Sequence, residues 1–184
     1  MSKWMVAAKR ADFDAIGRKY QISPVLARII RNRDVTGDRD IDKFLNGTRA
    51  DLYAPGLMKD LDRAVEILRQ KIAEKKRIRI IGDYDIDGIC STYILYRGLT
   101  ACGAEVDSAI PHRIRDGYGL NEHLIQDAFD AGTDTVLTCD NGIAAYDQIE
   151  MANALGMTVI VTDHHEVPYD EMDGKRHYKV PRAS

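Results

Sequence analysis

The sequence has no uninterrupted apolar run of about 18 residues, the length that would read as a membrane-spanning helix. The apolar stretch near the start is short, and the charged run KRADFD follows at once, so it does not read as a signal peptide. A cytoplasmic protein with no membrane contact is the expectation. There are only three cysteines, Cys90, Cys102 and Cys139, and no CxxC pair. That argues against a zinc ribbon or a thioredoxin-type site and predicts buried, reduced thiols. Internal repeats and low-complexity segments are also absent, which excludes solenoids and linker-like chains. What is present is ordinary for a globular protein: 184 residues, 45% hydrophobic and 30% charged. This length suits one α/β domain with a small N-terminal appendage and buries a core without staples.

The net charge of −3 hides an asymmetry. Residues 1–79 hold 19 basic and 11 acidic side chains, whereas residues 80–184 hold 7 and 18. The first part can attract a polyanion and the second can hold cations.

The hydrophobic pattern also changes along the chain. Residues 1–58 carry short helical patterns without a clear strand; residues 23–31 open with Ser23-Pro24, a good helix start. In residues 61–72, Leu61, Ala64, Val65, Leu68 and Ile72 form one apolar stripe at helical spacing. From residue 77 onward strands and helices alternate. Strands are expected at 77–82, 104–110, 134–139 and 157–162, and helices at 88–101, 121–132 and 144–156. The expected architecture is a helical N-terminal segment, 1–58, followed by an α/β domain, 59–184, with a parallel sheet covered by helices on both faces.

Each expected strand runs into a polar cluster. The clusters are Asp83, Asp85 and Asp87; then Pro111 to Gly119; then Asp140-Asn141-Gly142; then Asp163-His164-His165. Taken singly, these are turn chemistry, capping residues and surface histidines. Together they would all lie at the carboxyl edge of one parallel sheet, where such sheets bind ligands. Three aspartates within five residues, facing Asp140 and Asp163, would repel one another unless protonated or neutralised by a cation. Carboxylates with imidazoles suit Mn²⁺; Mg²⁺ is the all-oxygen competitor and Zn²⁺ a third choice. With this many ligands two ions about 3.5–4 Å apart can be held, an arrangement that clamps a phosphoryl group and activates a bridging water.

The motifs GDYDIDGICS (82–91), IPHRIRDGYGL (110–120), TCDNGI (138–143) and VTDHH (161–165), in this order, resemble the DHH phosphoesterase superfamily. Within it, they are most similar to the RecJ-like family of single-strand-specific 5′–3′ DNA exonucleases. Trp4, Phe44-Leu45 and the DLDRAVEIL stretch (60–68) carry a looser likeness at the N-terminal side. The resemblance implies a two-manganese centre built from Asp83, Asp85, Asp87, Asp140 and His164. Asp163 and His165 would lie beside it as ligand, orienter or phosphate contact. Arg113 would grip a phosphate, and Gly117, Tyr118 and Asn141 would line the substrate groove. The implied partners are single-stranded DNA, single-strand-binding protein and other repair proteins, in DNA repair and recombination.

RecJ-like chains are much longer, and this one has 19 residues after His165. It is therefore expected to be the N-terminal part of a catalytic core with an incomplete site. Two other readings stand beside this one. The first is a DHH-type phosphodiesterase acting on short oligoribonucleotides or cyclic dinucleotides. The second is a non-catalytic nucleic-acid-binding or scaffold module.

Overall fold

The computed structural model describes Lys3, Met5 and residues 9–184; Trp4 lies outside the described residues. The chain divides into two compact units, Met1–Lys59 and Asp60–Ser184. In the first, α1 (Phe13–Tyr20), α2 (Pro24–Asn32) and α3 (Asp38–Asn46) are followed by two short 3-10 turns. Asp12 caps α1 by accepting from the Ala15 N–H at 2.8 Å. Ser23 caps α2 with Pro24 at its first position, where a missing N–H costs nothing. Ala27 and Ile30 are the buried residues of α2, and Ile41 that of α3.

The second unit opens with α4 (Leu61–Ala73) and continues as β1 (Arg77–Ile81), α5 (Ile86–Ala101), β2 (Glu105–Ala109), α6 (Glu122–Asp130), β3 (Thr135–Cys139), α7 (Tyr146–Ala154) and β4 (Thr158–Thr162). The four strands pair in parallel in the order β2-β1-β3-β4. Side chains of a strand alternate between faces, and the buried residues sort accordingly. Ile78, Ile80, Leu137 and Ile160 pack with Leu68, Leu95 and Leu99 of α4 and α5. Ile81, Val136 and Val159 pack with Ile125 and Ala128 of α6 and Ile149 and Ala152 of α7. Helices therefore cover both faces, and strands buried on both sides read as continuous Ile/Val/Leu runs.

Ile78, Ile80, Ile81, Val136 and Leu137 are essentially inaccessible to solvent. At about 1.5–3 kcal/mol for each such side chain, β1 and β3 form the rigid centre of the sheet. At the sheet edge, β2 is half exposed, and its Asp107 is held by a two-pronged ion pair from Arg79 at 2.8 and 2.7 Å.

Two features depart from expectation. Only Cys139 of the three thiols is buried; Cys90 and Cys102 are exposed, and all three are free. The reason lies in α5, which buries Gly88, Thr92 and Leu99, while Cys90 belongs to its open side and Cys102 to its C-cap. In addition, residues beyond β4 form an antiparallel hairpin of β5 (Tyr169–Met172) and β6 (Lys175–Tyr178). All eight of its strand residues are exposed, so it lacks the apolar periodicity that would mark it as strand. Among the described residues, no helix is long and apolar enough to cross a membrane.

Candidate metal centre

The strand order reverses between β1 and β3, since β1 continues to β2 on one side and β3 to β4 on the other. Such a switch point opens a crevice at the carboxyl ends of its two strands. Asp83 follows β1 and Asp140 follows β3, so the two acids stand at that crevice. Both are buried, at 1% and 8% exposure.

The loop after β1 is held by α5 itself. Asp85 is the N-cap, and its Oδ1 accepts from the Asp87 and Gly88 N–H groups at 2.9 and 3.0 Å. These bonds, that from Gly88 first, hold the Asp85 carboxyl below the usual range. The loop lies so close to the helix that a β-carbon on Gly88 would fall on the backbone of Asp83.

After β3, Asp140 adopts a left-handed backbone with φ 62°, which Asp tolerates better than most residues. Its N–H bonds the Thr162 carbonyl at 3.1 Å. Next to it, Asn141 is only 1% exposed. Its amide donates to the Ile81 and Cys139 carbonyls at 3.1 and 3.0 Å, tying the ends of β1 and β3 together. Asn141, expected from the sequence to line the substrate groove, also acts as a clamp between the strand ends that lead to Asp83 and Asp140.

Asp163 is likewise occupied by the protein. Its Oδ2 accepts from the Ile143 N–H at 2.9 Å, and its Oδ1 from the N–H groups of His164 and His165 at 2.7 and 3.0 Å. The same Oδ1 lies 2.7 Å from His165 Nδ1. Burial would raise the Asp163 pKa, but these bonds outweigh it and leave the carboxyl below its ordinary value. The ionised acid holds a proton on His165 Nδ1 and leaves Nε2 directed at the Tyr118 hydroxyl, 3.1 Å away. His164 Nε2 approaches Asp140 Oδ1 at 2.8 Å.

Two donor groups result: Asp83, Asp85 and Asp140, and Asp140, His164 and His165, each with ligand atoms within 4.8 Å of one another. Asp140 belongs to both. Asp87, two residues into α5, is exposed and takes part in neither; Asp163 acts on His165 from behind.

The electrostatics suit a cation. Burial, and then the field of Asp83, Asp163, Asp140 and Asp85, push the Tyr118 phenol up to about 12. Burial also raises Asp140, despite the His164 ring beside it. A surplus of hard oxygen donors with two imidazoles on one side matches divalent ions such as Mn²⁺, with Mg²⁺ favouring the all-carboxylate half.

Around the crevice, Asp116 ties the 112–116 turn together and is held down to about 2, by Arg115 first and then by the His112 N–H. Arg115 is thereby neutralised within its own loop. Arg113 instead stacks on the Tyr84 ring at 4.9 Å, Tyr84 meets Tyr118 edge-on at 6.2 Å, and Tyr118 meets His165 at 5.9 Å. Gly117, with φ 76°, makes the turn that presents Tyr118. Tyr84 was not singled out by sequence; its place between two aspartates in DYDIDG was the available signal.

The Asp163–His165 pair gives a measurable expectation. In the metal-free chain the His165 pKa is raised, chiefly by Asp163. Its stabilising contribution is fully present below the unfolded value of about 6.5 and is lost as pH rises through the folded pKa. Asp163→Asn should lower the His165 pKa and weaken Mn²⁺ binding about 10–100-fold, the usual effect of losing a group that orients a ligand. Histidine ¹⁵N titration by NMR reads the first and calorimetry the second; an unchanged His165 pKa would refute the orienting role.

The DHH family, N-terminal domain, matches residues 77–184. The single-stranded-DNA-specific exonuclease RecJ of Bacillus subtilis is 35% identical over 168 residues, covering 90% of this chain and 21% of that protein. RecJ of Escherichia coli is 34% identical over 146 residues, covering 79% and 25%. Among solved structures, exonuclease RecJ bound to manganese superposes with a TM-score of 0.59 at 36% identity, covering 68% of this chain and 30% of that one. RecJ of Thermus thermophilus in complex with Mn²⁺ gives 0.58 at 27% identity, covering 93% and 22%. The chain thus spans about a fifth to a quarter of the length of these curated relatives. With its four strand-end clusters on one crevice and the match over residues 77–184, the chain belongs to the DHH family.

Proposed function

We propose that the chain carries the metal-binding part of a RecJ-like nuclease that hydrolyses single-stranded DNA from its 5′ end. The observation that supports this best is Asp140, shared by two donor groups at the switch point of the sheet. Asp83, Asp85 and Asp140 would hold one divalent ion, and Asp140, His164 and His165 a second, with Mn²⁺ as the first choice and Mg²⁺ as the alternative. When bound, such ions polarise the phosphodiester and lower the pKa of the attacking water.

The protein's own groups do the rest. Asp163 fixes the His165 proton on Nδ1, so that Nε2 is the nitrogen turned toward a metal. The Asn141 clamp holds the two halves of the site at fixed separation. Arg113, whose guanidinium sits over the Tyr84 ring, would offer its N–H groups to a substrate phosphate in two-pronged fashion. Tyr84 and Tyr118, which meet edge-on, offer aromatic surface to unpaired bases, a sequence-tolerant mode suited to single strands. The corresponding cellular role is cytoplasmic DNA repair and recombination, in company with single-strand-binding and other repair proteins.

Calorimetric titration with Mn²⁺ tests the metal reading: binding below the millimolar range is expected, and its absence there would refute it. The substrate reading is tested by Mn²⁺-dependent shortening of oligonucleotides varied in length, strandedness and end label. Preference for single strands and 5′ ends is expected. Preference for dinucleotides, or for duplex, would overturn it. Arg113→Ala should raise KM for oligonucleotides roughly 10-fold or more, the loss of a charge-assisted bond of about 1.5–3 kcal/mol, and leave Mn²⁺ affinity unchanged.

A further inference from the structure

Beside the donor groups lies a separate pocket of about 440 Å³. Its walls include Leu120 and Ile143, the small Ala144, and Tyr118, with Gln148 and Glu166 among its polar groups. His165 lines it too, so the pocket opens directly off the group formed by Asp140, His164 and His165.

Its chemistry differs from that of the crevice. No lysine or arginine lines it, and its charged groups are the acids Asp163 and Glu166 beside His165. A phosphate would meet repulsion there, whereas a neutral, flat, mainly apolar body would not. A second observation comes from beneath. Asn141 lines the pocket, and while its amide nitrogen is fully used, its buried Oδ1 has no hydrogen-bond partner. A buried acceptor left unpaired costs about 1–3 kcal/mol, so the floor of the pocket carries an unmet demand for a hydrogen-bond donor. Gln148, at the first turns of α7, offers one donor and one acceptor side by side, the pattern that pairs with the edge of a base.

We propose that this pocket is a nucleobase subsite: it takes the base of one of the two nucleotides joined by the scissile phosphate. Tyr118 is its stacking wall and Gln148 the group that reads the base edge. The assignment rests on the phosphodiesterase reading of the adjacent cluster. It goes further in separating two tasks: Arg113 and the donor groups handle phosphate, and the pocket handles the base. Because Gln148 can rotate its amide, the subsite discriminates among bases only modestly.

The test uses the 184-residue chain without metal and a ligand without phosphate. Titration with each of the four 2′-deoxynucleosides, followed in ¹⁵N amide spectra, should move the resonances of residues 142–145 and 148. Ala144→Trp, which fills the pocket, should weaken binding at least tenfold, and Gln148→Ala should flatten the ranking among the four nucleosides. Mn²⁺ titration of the same variants should match that of the parent chain. Nucleosides that leave these amides unmoved, or bind equally well to Ala144→Trp, overturn the subsite. Failure of the parent chain to bind Mn²⁺, with pocket shifts intact, counts against the metal reading and leaves the nucleoside pocket standing.

Discussion

Asp140→Asn should raise the melting temperature of the metal-free chain and abolish its response to Mn²⁺. The two halves of this expectation have one cause. Burial disfavours the Asp140 carboxylate and raises its pKa, with Asp85 adding to the repulsion. A carboxyl whose folded pKa lies above its unfolded value destabilises the fold once ionised, at pH above the folded pKa. An amide of the same shape removes that charge, and Asn tolerates the left-handed backbone at φ 62° as well as Asp does. A higher melting temperature is expected at neutral pH, where each kcal/mol gained is worth about 2–4 °C in a chain of this size. The gain should vanish as pH falls through the Asp140 pKa, because the parent acid is then neutral as well.

With metal the sign reverses. An ion at 100 times its dissociation constant stabilises the fold by about 2.7 kcal/mol, an upward shift that the parent chain should show. Asp140 is common to both donor groups, so its loss breaks both, whereas Asp85→Asn or His164→Ala breaks one. Thermal melts with and without Mn²⁺ check the whole set. A normal Mn²⁺ shift in Asp140→Asn would refute the shared-ligand arrangement.

The largest expected loss of stability lies at Gly88. On propensity alone, Gly→Ala near the start of α5 would stabilise the helix by up to about 1 kcal/mol. Here the added methyl would meet the backbone of Asp83, which cannot step aside without unseating β1. Overpacking against a rigid neighbour costs about 1–3 kcal/mol and occasionally more, so a net loss of at least about 2 kcal/mol is expected. The displaced atoms belong to a candidate ligand, so Mn²⁺ affinity should fall together with stability. Gly98 in the same helix is the control, since a β-carbon there meets nothing within 4 Å. Gly98→Ala should therefore stabilise by about 0.5–1 kcal/mol. Urea unfolding of the pair should move the midpoints in opposite directions. A neutral Gly88→Ala would mean that the loop after β1 is looser than this packing allows.

Much of this protein was legible in the residues themselves. The strands carrying Ile78, Val136 and Val159, and the helices between them, are marked by local apolar periodicity. The acids and imidazoles crowd their carboxyl ends for the same local reason: loops follow strands. The exposed β5–β6 hairpin was invisible because it buries no face and so has no pattern to display. The thiols at Cys90 and Cys102 were misjudged because residue type predicts average burial, not the side of a helix that finds a neighbour.

The sequence by itself determined the α/β alternation, the parallel sheet, and the set of side chains able to meet a cation. Only the tertiary structure decided which of them meet. Placing β1 beside β3, and not β2 beside β3, brings Asp83 to Asp140 across the switch point. It also turns Asn141 into a clamp, sets Asp163 behind His165 as its orienter, and leaves Asp87 outside both donor groups. The physical reason is that helix and strand periods are properties of neighbouring residues. Strand order and side-chain convergence depend on contacts between residues such as Ile81 and Asn141, sixty positions apart, which no local pattern encodes.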